Sequence, residues 1–497
     1  MDTESSSLVD EDDAAENLTT MVTKGENEII DHLHCFVEMD EMKLYCRMVT
    51  LPMNRVHTLK LNLASPSSLS FTRLALQVVK SLQSPENQIR RLELSGRKTF
   101  KLDPILRALK HDNSKLEELV LQRFLFDYDR MVMLSDSLTD PKCAIYSLEL
   151  SDINLVGEEM MRALMKPVSS GKIQVLRLIS NDIRSLAETS EIAKALHDDA
   201  CRVKHLSLDG NKLSIFGLLT ILASASPQTL RTLSINHVTM PETGLGHFLQ
   251  HFHRLSALAM QGGSVQDADV VKLPLESLER LNLNENASLG PDGIVSLCVS
   301  LRTAGSFRLR QLHLGEVNIG DDGLEALGML LRHPGNVLEW LDVMNQCVWR
   351  CTDPEAERFF LEALEDEHNR LEELFVSLDH LDSIAILGRT MRSRNNRLHR
   401  IGIHCSCSEL SAEREEYVTF AREVRRSRMR KALFARDIHA NLSLDFNSEW
   451  FQVLMALLGS HSVPRLSRDA FVRILPVSDF AVPIAETLGW PLDQLRF

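Results

Sequence analysis

The sequence predicts an α/β solenoid. Strand-then-helix units coil into a horseshoe with a parallel β-sheet on the concave face, helices on the convex face, and helical caps at both ends. Three observations carry this reading. A cassette of apolar-x-x-Leu-x-Leu recurs along most of the 497 residues. Its central aliphatic residue falls at 59, 92, 119, 148, 176, 206, 233, 258, 281, 312, 341, 374 and 401, thirteen copies at a mean spacing of about 28.5 residues. After each cassette the apolar period changes from two to three and four, as in Asp322-Gly-Leu324-Glu-Ala-Leu327-Gly-Met-Leu330-Leu331, which is a helix face.

Taken in chain order, residues 1–25 read as an acidic disordered tail, since positions 1–16 hold seven acids and no base. Residues 26–54 carry Ile29, Ile30, Leu33, Phe36, Val37, Leu44 and Tyr45 at helical spacing, and an N-terminal helical cap is expected there. The solenoid of about thirteen repeats spans 55–412. Its clearest cassettes are Val56-His-Thr-Leu59-Lys-Leu61, Leu116-Glu-Glu-Leu119-Val-Leu121, Val203-Lys-His-Leu206-Ser-Leu208, Leu278-Glu-Arg-Leu281-Asn-Leu283 and Leu309-Arg-Gln-Leu312-His-Leu314. A basic helix is expected over 413–440, where positions 422–436 hold seven Lys and Arg against one Glu. Residues 441–497 offer short amphipathic segments that begin at the N-capping serines 448 and 467, and these read as a C-terminal helical cap.

Elementary geometry gives the same architecture. In Leu-x-Leu, alternate residues face a core and the others face outward. No single unit can bury its own apolar side, so neighbours must stack. Parallel strands sit about 4.8 Å apart, whereas helices pack about 8–10 Å apart. The strands therefore take the inner arc and the helices the outer one.

The second halves of several units, Leu289-Gly-Pro-Asp-Gly-Ile294-Val-Ser-Leu297-Cys298 and Ile319-Gly-Asp-Asp-Gly-Leu324-Glu-Ala-Leu327, make roughly residues 55–405 resemble the leucine-rich-repeat family. Within it, the likeness is to the long-repeat, ribonuclease-inhibitor-like subclass. The resemblance implies a horseshoe that commonly binds a protein. The asparagine usual three residues after the last strand leucine stands at 181, 211 and 286. Phe124, Ile153, Val238 and Val317 replace it elsewhere, so a patchy loop ladder is expected.

The net charge of −14 lacks the basic excess of a general nucleic-acid or membrane-surface binder, so neither partner is expected. The N-terminal residues Met1-Asp2-Thr3-Glu4 have neither the basic nor the apolar region of a secretory signal. A cytoplasmic location, extending to the nucleus, is expected, with the nine scattered cysteines as reduced thiols and the chain a monomer.

The register assigns the non-leucine strand positions to the concave face. In the first nine units these are mostly small or polar, such as Ser147, Glu149, Ser207, Asp209, Ser234, Asn236, Asn282 and Asn284. The last four units instead present Gln311, His313, Trp340, Asp342, Met344, Glu373, Phe375, Arg400 and His404. Trp340 and Phe375 stand on adjacent strands and make one aromatic patch, the composition of a binding hot spot. The other readings are that a C-terminal cap folds over and buries them, or that the strand register is shifted by one residue. The stretch Arg425, Arg426, Arg428, Arg430 and Lys431 reads as a nuclear-import signal, a phosphate-contacting helix or a solvated helix face.

Cys347, Cys351, Cys405 and Cys407 belong to units two strands apart, about 10 Å, too far for thiolates that must each lie about 2.3 Å from one zinc. No metal or cofactor is expected. Nucleotide-binding, nucleophile-elbow and zinc-protease motifs are missing, and adjacent acid pairs such as Glu372-Glu373 point to opposite strand faces, so no enzyme is expected. The functional expectation is a non-catalytic scaffold or inhibitor that holds a protein on its concave face. Two alternatives remain. One is a GTPase activator like the Ran GTPase-activating proteins, although no residue matches a motif of that family closely enough to carry over. The other is a substrate adaptor whose residues 441–497 dock a larger complex.

Overall fold

The computed structural model describes residues 32–36, 57–62, 68–96, 100, 102–238, 245–303, 308–344, 352–378, 381–390, 393, 397–398 and 400–405. The chain divides into two compact units. The first comprises residues up to Val265 together with Lys272–Leu278, and the second Gln266–Val271 together with residues from Glu279 onward.

Nine strands of the first unit pair in parallel in chain order: β1 (His32–Phe36), β2 (Thr58–Asn62), β3 (Arg91–Ser95), β4 (Glu118–Gln122), β5 (Ser147–Ser151), β6 (Val175–Ile179), β7 (His205–Ser207), β8 (Thr232–Ser234) and β9 (Ala257–Ala259). Between them run α1 (Ser68–Gln83), α2 (Asp103–Ala108), α3 (Tyr128–Thr139), α4 (Glu158–Ser169), α5 (Leu186–His197), α6 (Ile215–Ser224) and α7 (Leu245–Leu249). The second unit begins with α8 (Asp267–Val270). It continues as β10 (Arg280–Asn282), α9 (Pro291–Thr303), β11 (Gln311–His313), α10 (Gly320–Leu331), β12 (Trp340–Val343), α11 (Pro354–Glu362), β13 (Glu373–Leu378), α12 (Leu381–Thr390) and β14 (Arg400–Cys405). Strands β10 to β14 are again parallel and sequential.

The register is that of the cassettes. Leu59, Leu92, Leu119, Leu148, Leu176, Leu206, Leu233 and Leu258 lie opposite one another from strand to strand. So do Leu281, Leu312, Leu341, Leu374 and Ile401 in the second unit. The leucines are buried under helix residues such as Leu134 and Leu138 of α3, Leu164 and Val168 of α4, Ile192 of α5, and Leu327 and Leu330 of α10. Each buried side chain of this kind contributes about 1.5–3 kcal/mol, and the rows make one continuous core within each unit. Helix starts are written in the sequence. Asp127, Ser185, Ser214 and Asp353 each accept a backbone N–H from the first turn that follows, and Ser185 with Glu188 forms a reciprocal capping box.

Where residues 26–54 were expected to be a helical cap, His32–Phe36 form strand β1, in register from His32 opposite Thr58 to Phe36 opposite Asn62. The exposed edge of β2 supplies the missing hydrogen-bond partners, and edge pairing outweighs the helical spacing of the apolar residues. The rest of 26–54, the acidic tail 1–25, the basic helix 413–440 and the cap 441–497 lie outside the described residues.

The asparagine ladder is patchy. Asn181 Oδ1 accepts the Ile153 N–H at 2.9 Å and its Nδ2 donates to Leu150 O at 2.7 Å. Asn211 repeats the arrangement one unit on, accepting from Asn181 N at 3.0 Å and donating to Leu178 O at 2.6 Å. Asn286 donates to Leu283 O at 2.8 Å. At the replaced positions Phe124, Ile153, Val238 and Val317 are buried instead, filling with carbon the space an amide would bridge. Four residues after the central leucine the chain enters the left-handed region in eight units, at Arg123, Asp152, Ser180, Gly210, His237, Gly262, Glu285 and Glu316. This recurrent turn ends each strand at the same height.

Candidate protein-binding face

Strands β11 to β14 build the candidate face. Alternation along β11, β12 and β13 buries Leu312, Leu341, Val343, Leu374, Val376 and Leu378. It leaves Gln311, His313, Trp340, Asp342, Glu373 and Phe375 half-buried on the opposite side. Gln311, Trp340, Glu373 and Arg400 lie opposite one another across four strands. His313, Asp342, Phe375 and Gly402 form the next row. His404 pairs with Ser377 through the backbone, and its side chain lies outside the described residues.

The rings associate diagonally. Trp340 and Phe375 stack with centroids 5.2 Å apart at 29°, and His313 meets the other side of Trp340 at 5.6 Å and 39°. The Arg400 guanidinium carbon sits 5.3 Å from the Phe375 centroid and 5.7 Å from that of Trp340. Glu373 holds that guanidinium with a 3.1 Å ion pair. Ring pairs of this geometry add about 0.5–1.5 kcal/mol beyond their burial, and a cation over a ring about 0.5–1 kcal/mol at exposed sites. Met344 follows β12, and Asp342 Oδ1 accepts its backbone N–H at 3.0 Å.

Two details mark the row as a packed device. Burial holds the His313 imidazolium below its usual range while Asp342 pulls the other way, so the ring is neutral at pH 7. The Trp340 indole N–H is buried and finds no acceptor among the described residues. A buried donor left in this way costs about 1–3 kcal/mol.

On the sheet face of the first unit, by contrast, charges answer one another. Lys60 pairs with Glu93 at 2.6 Å, Arg91 with Glu118 at 2.5 Å and with Glu93 at 3.7 Å, and Arg177 with Glu149 at 3.9 Å. Several polar residues assigned to the concave surface turn out to bind backbone. Asp209 Oδ1 accepts the Asn236 N–H at 2.7 Å, and Asn236 Oδ1 accepts that of Gln261 at 2.8 Å. In the second unit Asn284 Oδ1 accepts from Gly315 at 2.7 Å. Sequence reasoning missed this second ladder, whose signal was Asp or Asn three residues after the central leucine at 209, 236 and 284.

Among the described residues no group of three or more His, Cys, Asp or Glu is placed to hold a metal ion, and no helix is long and apolar enough to cross a membrane. Cys143 and Cys298 are buried, and Cys201 is half-buried. The stretch Arg425, Arg426, Arg428, Arg430 and Lys431 lies outside the described residues, as do Cys347, Cys351 and Cys407.

No family model matches the chain. It is 24% identical over 256 residues to the mouse protein named NACHT, LRR and PYD domains-containing protein 5, an alignment that takes in 50% of this chain and 20% of that one. It is 23% identical over 314 residues to the pig ribonuclease inhibitor, covering 53% of this chain and 66% of the inhibitor. The chain therefore spans a fifth of the first relative and just under two thirds of the second. Among solved structures it resembles a chain of the yeast Rad7–Elc1 complex, with a TM-score of 0.44 and 16% identity over 73% of this chain and 88% of that one.

Proposed function

We propose that this chain, built of leucine-rich repeats of the long, ribonuclease-inhibitor-like kind, is a non-catalytic scaffold or inhibitor. In this reading it holds a protein partner on the sheet face of its second unit. The observation that carries the reading is the row His313–Trp340–Phe375 with Arg400 over two of its rings. Tryptophan, aromatic partners and arginine are the residues on which binding energy concentrates, and a parallel sheet face that carries them is large, rigid and already ordered. Gln311, Asp342, Met344 and Glu373 form the polar and soft rim, to which the sequence register alone adds His404. Such a rim excludes water from the central contacts.

The relatives support a contact role in general terms, since the pig protein is by its name an inhibitor of another protein. The face acts by occupancy. Its groups are rings, a guanidinium already paired with Glu373, and a neutral imidazole, a set suited to shape and charge recognition.

The test is affinity purification from a cell extract with the full chain and with a Trp340→Ala/Phe375→Ala double variant, checked for equal folding by circular dichroism. A partner retained by the wild type and lost from the double variant supports the reading. Partners held equally by both would refute it.

A further inference from the structure

A second surface lies elsewhere, on the first unit, at the loops where strands hand over to helices. Five of the nine large apolar side chains that stand exposed among the described residues are Leu125, Tyr128, Val156, Leu186 and Phe216. They are between 41% and 74% exposed, with Phe216 highest. They fall in four consecutive repeats, each at or just before the first turn of α3, α4, α5 or α6. Their recurrence at the strand-to-helix loop of four successive units, within a few residues of the helix start, is not the scatter expected of isolated surface hydrophobics.

Hydrogen bonds and close packing order the loops that carry these residues. Arg130 Nη1 donates to Leu125 O at 3.0 Å, tying the loop to α3. The Gly157 N–H beside Val156 donates to Glu188 Oε1 at 2.8 Å, which joins that loop to the first turn of α5 where Leu186 stands. Burial alone would raise the Glu188 carboxyl, but the N–H groups of Arg184, Gly157 and Ser185 outweigh it and hold the group ionised. Gly217 beside Phe216 packs so closely on α5 that a Cβ there would lie 2.9 Å from Thr189 Cγ2. The ridge is therefore carried on rigid backbone.

Its pitch and charge describe what fits. Neighbouring helices pack about 8–10 Å apart, so the four loops that carry the ridge follow one another at about that interval. Seven residues of an α-helix rise about 10.5 Å. A helix lying along the ridge with an apolar residue every seventh position meets one ridge residue per heptad, and four repeats accommodate about three heptads. The ridge loops 123–130, 152–159, 180–188 and 210–216 carry seven carboxylates against four cations. Arg123 is drawn to Asp152, Arg184 and Lys212 to Asp182, and Arg162 to Glu158. Acidic charge is thus in excess, at Asp129 and Glu159 on the helix side.

We infer that the ridge Leu125–Tyr128–Val156–Leu186–Phe216 is a docking surface for an amphipathic helix of a protein partner, with apolar residues at heptad spacing and a basic flank. The site is separate from the aromatic row and stands whether or not that row binds anything.

Fluorescence anisotropy with the full chain tests this, using a synthetic 25-residue peptide with Leu at every seventh position and Lys and Arg beside it. A control peptide of the same composition has its leucines out of heptad pitch. The expected result is saturable binding of the first peptide and at least tenfold weaker binding of the control. A Leu186→Asp/Phe216→Asp variant should lose at least tenfold in affinity, whereas Trp340→Ala should bind as the wild type does. Equal affinity for the two peptides, no binding, or full binding by the ridge variant would overturn the inference. So would a dimer in sedimentation velocity, without peptide, that the ridge variant abolishes, because the ridge would then belong to a second copy.

Discussion

Gly402 lies against the ring of Phe375: a Cβ at position 402 would stand 2.5 Å from Phe375 Cδ1 and 3.4 Å from Met344 Cε. The stack with Trp340 thus depends on a residue that contributes no side chain. Gly402→Ala is expected to push Phe375 off Trp340 and to weaken partner binding about tenfold, while thermal stability falls by a few degrees at most. Near-UV circular dichroism reads the loss of ring order, and a titration with the partner reads the affinity. An unchanged near-UV spectrum would show that the stack tolerates the methyl group.

Asn211 joins two repeats through its side chain, accepting from Asn181 N and donating to Leu178 O and Leu208 O. Asn211→Ala removes these bonds and leaves buried backbone groups unpaired, at about 1–3 kcal/mol for each such group. Urea denaturation should show a lower midpoint, corresponding to a loss of about 2–4 kcal/mol of unfolding free energy in all. Val317→Ala at the equivalent place forms only a small cavity and should cost about 1–2 kcal/mol less.

His313 gives the aromatic row a pH dependence of defined sign. Its pKa in the folded chain lies below the ordinary value of about 6.5, because burial disfavours the imidazolium more than Asp342 favours it. The unfolded chain therefore binds the proton more tightly. The neutral ring's stabilisation is present above about pH 6.5 and is lost as the pH falls through the lower, folded value. Partner binding and local stability of β11 should both weaken as the pH falls below about 6.5. A His313→Gln variant should flatten that part of the profile, and amide hydrogen exchange as a function of pH is the measurement.

Cys298 is fully buried in α9, and burial pushes its thiol up to about 12. Alkylation by iodoacetamide at pH 8, followed by mass spectrometry, should leave Cys298 and the buried Cys143 unmodified in the folded protein and label the half-buried Cys201 first. Rapid labelling of Cys298 would reveal local opening of the α9 repeat.

Most of the fold was legible because one residue type repeats with one period. Within each unit the central aliphatic residues, Leu59 to Leu258 and Leu281 to Ile401, stand in register because a slip of one position would expose a whole row of leucines. The same alternation put Trp340 and Phe375 on the exposed face opposite the leucines, but they are half-buried there, because their rings stack on each other. The strand at His32–Phe36 was not legible. Its Leu33 and Phe36 fit a helical face, and only the open edge of β2 decides for a strand. The backbone bonds of Asp209, Asn236 and Asn284 were hidden for a related reason, since an outward-pointing polar residue reads as solvent-facing until the next repeat is placed beside it. The apolar ridge escaped notice because its members lie outside the cassette, in loops whose spacing drifts from one unit to the next.

The asparagine bridge between β5, β6 and β7 has a consequence for how the chain acquires its structure. Nearly all the bonds of the repeats stay within one repeat or join it to its immediate neighbour, so loop-closure entropy is modest and ordering can spread from any well-stabilised pair. The segment spanning Asn181 and Asn211 is the best-tied such pair, with a capping box at Ser185 beside it. Folding is expected to nucleate there and to spread to the neighbouring repeats of the same unit.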